Sequence, residues 1–293
     1  MDYVIGVDAG GTKTNAALYD DMGRVVYETR TGHGNITVDA VAATNNIAEA
    51  VSRCADACPA HEKIFIYIGA AGIAAEGNAQ TLTAKLETLF PNCPVRVEND
   101  AILALYALTK GKDGILVIAG TGAIAYGKYC GKQMRAGGWG HILGDEGSGY
   151  YISRRAFSNV TNEYDAGAGY GRLSKRLLEK LGTDVFGMIK YVYSASKSDI
   201  AGFLPIVVQA AADGDRTAAS LLTEAGCGLS SLAKSLYTRL ECTGRVAVVV
   251  KGGVLEGVKV VKNEFIRGLP DDKFYISQES APSESGAYYM HYT

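Results

Sequence analysis

Two rhythms of apolar residues alternate along the chain. YVIGVD (3–8) is an unbroken apolar, β-branched run and predicts a buried strand. KTNAALYD (13–20) alternates roughly and predicts a second strand; DDMG (20–23) supplies the Asp and Gly of a hairpin turn, and RVVYETR (24–30) predicts a third. Apolar residues then recur every three or four positions over 39–57, predicting a helix. KIFIYIGAAGI (63–73) reads as a strand running into a Gly-bearing turn, TLTAKLETLF as a helix and PVRVEN (94–99) as a strand. DAILALYAL (100–108) predicts a helix with Asp100 at its N-cap. GILVIAGTG (114–122) is another strand into a Gly-Thr turn, and AIAYGKY and KQMRAGG predict strands around a CGK turn. The stretch from Gly149 to about residue 240 reads as mostly helical. RVAVVVKGGV (245–254) predicts a strand into a Gly turn, followed by a helix, a strand KFYISQ (273–278) and a short last helix at 284–291.

The opening strand–turn–strand unit, VIGVDAGGT, is echoed by LVIAGTG at 116. Reuse of one unit predicts a duplicated α/β fold, two similar halves facing each other across a cleft. Ligands of open α/β sheets sit beyond the carboxyl ends of strands. Gly turns at 9–12, 119–122 and 251–253 all follow apolar strands. In DAGGTKT, Gly10 and Gly11 let the backbone approach an anion, Thr12 and Thr14 add hydroxyl donors, and Lys13 adds charge. Asp8, at the strand end, is placed to hold a magnesium ion through water. The plain alternative is a tight hairpin with a strand-end Asp. AGTG and KGGV say little singly; the three turns together point to one ligand. The chain has no GxxxxGK[ST] loop and no GxGxxG fingerprint.

Composition narrows the classes. At 293 residues, one large or two moderate domains fit. A net charge of -2 leaves no basic surface for nucleic acid. The longest apolar run, AILALYAL at 101–108, is too short for a bilayer. The start carries no export signal, so a cytoplasmic protein is expected. Of six cysteines only Cys54 and Cys58 are close in sequence, and no second pair completes a zinc set. The densest stretch is GGWGHILGDEGSG (137–149), with six glycines and the sole tryptophan. Trp139 there is either a rigid face for a ligand or packing for its own loop. His141 reads as a packed or hydrogen-bonded side chain. Glu146 has two readings, a bond to its own loop or an approach to a metal. Tyr150, Tyr151, Tyr164 and Tyr170 read as packing residues.

DAGGTKT, GAAGI, END at 98–100, AGTG, GGWGHILGDEGSG and VVVKGGV, in this order, resemble the sugar kinases and ATPases of the actin–hexokinase fold. Within it they are similar to the N-acetylglucosamine kinases and the BadF/BadG/BcrA/BcrD group, over nearly the whole chain; APSESGAYYM resembles the short final helix of that group. The resemblance implies two ribonuclease-H-like domains around a central cleft, 1–111 and 112–293, with the final helix able to pack back on the first. It implies ATP and Mg2+, with DAGGTKT as the first phosphate turn and AGTG (Gly120, Thr121, Gly122) as the second. Thr12 and Thr121 would touch the phosphates, Gly252 and Gly253 would border the adenosine, and Ala211 would be a further candidate for that wall. Asp100 would be the catalytic base, and Asn35 would contact the sugar. Gly137, Gly138, Trp139 and Asp145 would hold the sugar ring, Asp145 accepting from its hydroxyls. Independently of the family, Asp100 at a strand-to-helix junction suits a proton acceptor in phosphoryl transfer, and equally a helix cap. The implied activity is phosphorylation of the 6-hydroxyl of an N-acetylated amino sugar by a homodimer with no nucleic-acid or membrane partner. Glucosamine phosphorylation and a BadF-type ATPase switch are the alternatives. Two features depart from relatives: AGTGAIAYG has no cysteine for an iron–sulfur cluster, and no Cys-rich zinc run is present.

Overall fold

The run that opens the chain becomes β1 (Asp2–Ala9), a strand with apolar contacts on both faces. Ile5 and Val7 point to one side, into a cluster with Ile47 and Val51; Val4 points to the other, toward Leu103 and Ala287. That two-sided burial explains why the sequence there shows no alternation. The computed structural model describes residues 1–73, 77–167 and 169–293. Ala168, inside the stretch expected to be mostly helical, lies outside them.

The chain divides into two units, Met1–Gly114 with Gln278–Thr293, and Ile115–Ser277. In the first unit β2 (Thr14–Tyr19), β3 (Val25–Thr31), α1 (Ala40–Asp56), β4 (Lys63–Ala70), α2 (Asn78–Leu89), β5 (Val95–Asn99) and α3 (Asp100–Thr109) follow β1. The sheet order is β3-β2-β1-β4-β5. β2 runs antiparallel to β1 and β3, whereas β1, β4 and β5 are mutually parallel neighbours.

The second unit holds β6 (Gly114–Ala119), β7 (Ala123–Tyr129), β8 (Lys132–Gly137), α4 (Gly149–Ala166), α5 (Arg172–Leu181), α6 (Val185–Ser194), α7 (Lys197–Ala201), α8 (Leu204–Ala212), α9 (Arg216–Arg239), β9 (Val246–Lys251), α10 (Gly253–Gly257), α11 (Lys259–Arg267) and β10 (Phe274–Ile276). Its sheet order, β10-β9-β6-β7-β8, repeats that of the first: the third, second, first, fourth and fifth strands of each unit lie side by side. The duplication expected from the repeated strand–turn–strand unit is therefore present as topology. The helices α4 to α8, between the third strand and α9, are the second unit's own addition.

The last helix, α12 (Gly286–Tyr292), belongs to the first unit. It and the turn before it lie so close to β1 and α3 that two glycines are required. A Cβ on Gly6 would stand 2.0 Å from the Glu284 carbonyl oxygen, and one on Gly286 2.0 Å from that of Leu103. Among the described residues no helix is long and apolar enough to cross a membrane.

Candidate active site

In the first unit, strand register sets the site. Ala9 pairs with Ala70 and Ala70 with Asn99, so β1, β4 and β5 end level with one another. Asp8 sits one residue before that line and Asp100 one after it. The turn leaving β1 is closed by the Gly10 N–H donating to the Lys13 carbonyl at 3.0 Å. The next loop is tied to it: the Gly34 N–H donates to the Gly10 carbonyl at 2.8 Å, and the Ala71 N–H to the Ala9 carbonyl at 2.9 Å. Asn35 is thereby brought to the same edge. Its Oδ1 accepts from the Thr37 N–H and hydroxyl, at 3.0 and 2.7 Å, and lies beside Gly72, whose φ is +80°. Gly69 lets the end of β4 approach Asp100: a Cβ there would be 3.0 Å from the Asp100 Cα.

Two sequence expectations change here. The N-cap of α3 is Asn99, not Asp100. Asn99 has extended backbone angles (φ -66°, ψ 142°), and its side chain accepts from the Ala101 N–H at 3.0 Å. Asp100 is the first helical residue, with Oδ1 also 2.9 Å from that N–H. Thr14 was expected to offer its hydroxyl to an anion, but it is fully buried, packed against Gly34. The exposed hydroxyl of the turn is that of Thr12, beside exposed Lys13.

In the second unit, the β6–β7 turn is closed by the Gly120 N–H donating to the Gly122 carbonyl at 2.9 Å. It is fastened to α4 by the Gly149 N–H donating to the Gly120 carbonyl at 2.8 Å. Behind it stands Asp145, 4 % exposed and in the left-handed region at φ 64°. One carboxylate oxygen accepts from the Ala123 N–H at 3.2 Å, and the other from the Lys197 ammonium at 2.6 Å. A Cβ on Gly122 would meet Lys197 Nζ at 3.0 Å and Asp145 Oδ2 at 3.1 Å. No local pattern in the sequence marks Lys197. It lies 52 residues from Asp145, at the start of a five-residue helix that a Ser196–Asp199 capping box holds.

The glycines of the three turns divide into two kinds. A Cβ on Gly11, Gly120 or Gly253 would meet nothing within 4 Å, so folding does not demand glycine there. Gly252 differs: its φ is +95° and a Cβ would stand 2.5 Å from the Ala119 carbonyl oxygen. Among the described residues, the N–H groups of Gly11, Thr12 and Thr121 donate to no backbone carbonyl.

The 137–149 stretch is held by its own unit. Gly137 and Gly138 have φ of +70° and +69°, and Ile124 fills the place of a Cβ on Gly138. Trp139 is 62 % exposed and not a core residue; the Arg135 guanidinium lies 4.2 Å from its ring centroid. His141 packs edge-on against Tyr150, with centroids 4.9 Å apart. The Ser148 hydroxyl caps α4 by accepting from the Tyr151 N–H at 3.1 Å. Ala211 stands near the end of α8, a helix packed on α4, α5 and α9.

Known proteins resemble this chain in sequence and in fold. An N-acetylmuramic acid/N-acetylglucosamine kinase of Clostridium acetobutylicum is 30 % identical over 286 residues, covering 92 % of this chain and 90 % of the relative. A glucosamine kinase of Vibrio cholerae is 24 % identical over 261 residues, covering 88 % and 87 %. Among solved structures, a candidate N-acetylglucosamine kinase from Chromobacterium violaceum superposes with a TM-score of 0.73 at 25 % identity, covering 98 % of this chain and 97 % of that one. Residues 5–274 match the BadF/BadG/BcrA/BcrD ATPase family, and the chain belongs to that family.

Proposed function

We propose that the protein transfers the γ-phosphoryl group of ATP to the 6-hydroxyl of an N-acetylated amino sugar, N-acetylglucosamine and N-acetylmuramic acid being the acceptors. The observation that carries this reading is the edge where β1, β4 and β5 end. It sets Asp100 level with a hairpin whose Gly11 has open space in place of a side chain. A glycine that folding does not require is explained by a ligand that must come close. Gly120 repeats the feature in the second unit. The name of the Clostridium relative supports an N-acetylated acceptor, and that of the Vibrio relative an amino sugar more broadly.

The roles follow from the chemistry. Phosphoryl transfer needs positioning, neutralised charge and an acceptor for the hydroxyl proton. Asp100 takes that proton, and the Asn99 cap fixes the helix turn from which its carboxylate projects. Gly10, Gly11 and Thr12, with Lys13, hold phosphate oxygens at the first turn, and Gly120, Thr121 and Gly122 do so at the second. Gly252, Gly253 and Ala211 border the adenosine. Asn35, Gly137, Gly138 and Trp139 orient the sugar. Asp145, expected from the sequence to accept from the sugar hydroxyls, is buried with both oxygens engaged by the Ala123 N–H and Lys197, and so acts by holding the loop.

The oxygen donors suit magnesium, a hard cation usually held by one or two carboxylates together with substrate phosphates. Among the described residues no cluster of three or more His, Cys, Asp or Glu is arranged for a metal. Asp8 would therefore hold magnesium through water, with the nucleotide's own oxygens as the other ligands. Bound there, the ion would neutralise charge on the phosphates. The reading includes a cytoplasmic homodimer. The exposed, edge-stacked pair Tyr164–Phe186 is a surface that such association could cover.

The test is ADP release from ATP and magnesium with N-acetylglucosamine, N-acetylmuramic acid, glucosamine and glucose in turn, and phosphorus NMR of the product to locate the ester. Sugar-dependent release with the two N-acetylated sugars and a 6-phosphate product is expected. Release that no sugar stimulates would favour an ATPase switch, and preference for glucosamine would move the acceptor class.

A further inference from the structure

The second unit carries a groove of about 1010 Å³, bounded by α4, α6, α7 and the 137–149 loop. That is roughly the upper end of the 300–1,000 Å³ typical of small-molecule sites. The loop proposed to hold the sugar ring is part of its wall through His141 and Ile142, and Lys197, the partner of Asp145, is another part. The same loop thus carries the residues assigned to the sugar and, through His141 and Ile142, one wall of the groove. The wall is largely apolar, with Ile142, Phe157, Met188, Ile189 and Val192 among its residues.

The polar side chains of the wall are one-sided in charge. Among the described residues it contains the cations Arg154 and Lys197, with His141, and no carboxylate. The Ser158 and Thr161 hydroxyls are spent on the carbonyls of Arg154 and Ser158 in their own helix. Lys197 is taken by Asp145 at 2.6 Å. Arg154 is half-buried and lies 5.7 Å from the Tyr151 ring centroid. Among the described residues it pairs with no carboxylate, whereas its neighbour Arg155 is paired with Glu224 at 3.2 Å. An arginine held against an apolar wall without an acidic partner invites a carboxylate from outside, since its planar fork matches that group.

We infer that this groove receives the carboxylate-bearing substituent of an acidic amino sugar, with Arg154 as its counter-charge. The inference rests on the kinase reading and deepens it. N-acetylmuramic acid differs from N-acetylglucosamine by a lactyl ether, which is a carboxylate on a short apolar stem. The wall offers that substituent one cation and an apolar bed. A neutral sugar leaves Arg154 unused.

The experiment compares N-acetylmuramic acid, its neutral methyl ester and N-acetylglucosamine as acceptors for wild type and Arg154→Gln. For wild type the acid should have a KM well below that of its methyl ester. Arg154→Gln should raise the KM of the acid roughly ten- to hundredfold, the scale of one charge-assisted contact. It should leave N-acetylglucosamine within about threefold and abolish the preference for acid over ester. Arg154→Lys should restore part of the loss. An equal effect on acid and neutral sugar, or none on either, would overturn the assignment. Wild type treating acid and ester alike would overturn it without recourse to any variant. Turnover of N-acetylglucosamine but not N-acetylmuramic acid would remove the groove's role and leave the kinase standing. Inactivity toward every amino sugar would remove the kinase reading and this one with it. A dimer that Tyr193→Asp disperses, with unchanged acid selectivity in Arg154→Gln, would assign the groove to a second copy of the chain instead.

Discussion

The β1–β2 turn and the β6–β7 turn occupy the same place in two sheets of the same strand order, yet they are supported differently. The first is a hairpin held by backbone bonds alone among the described residues, one internal and the others from Gly34 and Ala71, beside the edge that bears Asp8 and Asp100. The second is buttressed from behind by a buried carboxylate and an ammonium, and fastened in front to the start of α4. The two copies share a scaffold and differ in what it carries. One copy carries the titratable edge, and the other has acquired helices α4 to α8 and the glycine-rich loop that leads into them.

The largest expected effect tests whether the first edge is the chemical one. Asp100→Asn preserves size and leaves the Asn99 cap in place while removing a proton acceptor. We expect kcat to fall about 10²–10⁴-fold with little change in ATP affinity. A variant that turns over near the wild-type rate would place the base elsewhere and end the division of labour.

Glycine substitutions separate ligand demand from folding demand. Gly11→Val puts a branched side chain into open space, so the melting temperature should stay near wild type while ATP affinity, by calorimetry, falls at least tenfold. Gly252→Ala should act on the fold itself. It forces a Cβ into a φ of +95° and toward the Ala119 carbonyl oxygen at 2.5 Å, so the fold itself should lose about 1–3 kcal/mol. Unchanged ATP affinity in Gly11→Val would mean that the first turn is only a hairpin.

The buttress of the second turn is testable alone. Lys197→Met leaves Asp145 buried with the Ala123 N–H as its remaining donor of the pair. Because Lys197 is about one-third exposed, the cost should lie near the lower part of 1–3 kcal/mol. Thermal melting should register it, and adding Asp145→Asn should recover much of the loss, since the buried charge then goes too. A single variant that melts like wild type would show the pair to be incidental.

Much of this was legible in the chain. The apolar runs of β1, β6 and β9 and the glycines after them announced three strand ends, because a two-faced strand and a tight turn both leave local marks. The repeated strand–turn–strand unit announced a duplicated fold, whereas the strand order that the two sheets share is seen only in the structure. Other features have no local mark. Asn99 and Asp100 are both good caps, and backbone angles decide between them. Thr14 is polar and follows glycines, yet strand pairing with Ala9 and the approach of Gly34 bury it. Lys197 meets Asp145 only because the helices of the second unit fold back on its loop, and that contact is tertiary. Trp139 and Arg135 are close in sequence, so an Arg four residues before an exposed Trp was a signal available and unread.

The smallest effect concerns a turn with the same device and no proposed ligand. Asp20, 6 % exposed, follows β2 and accepts from the Arg24 N–H at 2.8 Å, the Arg24 side chain at 2.7 Å and the Met22 N–H at 3.0 Å. Like Asp145 it accepts from a backbone N–H and a cation beside a turn, but here the cation is largely exposed. The Arg24 N–H above all, then its side chain and the Met22 N–H, hold the Asp20 carboxyl below its ordinary value of 3.8 against the opposing effect of burial. A carboxyl that ionises more readily in the folded chain stabilises the fold above its ordinary pKa and loses that contribution as pH falls through the lower folded value. Asp20→Asn should therefore be less stable than wild type to urea at pH 7, and the gap should close at pH values below about 4. Salt should narrow the gap only slightly, because the backbone donors dominate the shift and the exposed Arg24 contributes less. A gap that stays constant into acid would mean that Asp20 holds its turn by shape rather than by charge, and the likeness to Asp145 would end at geometry.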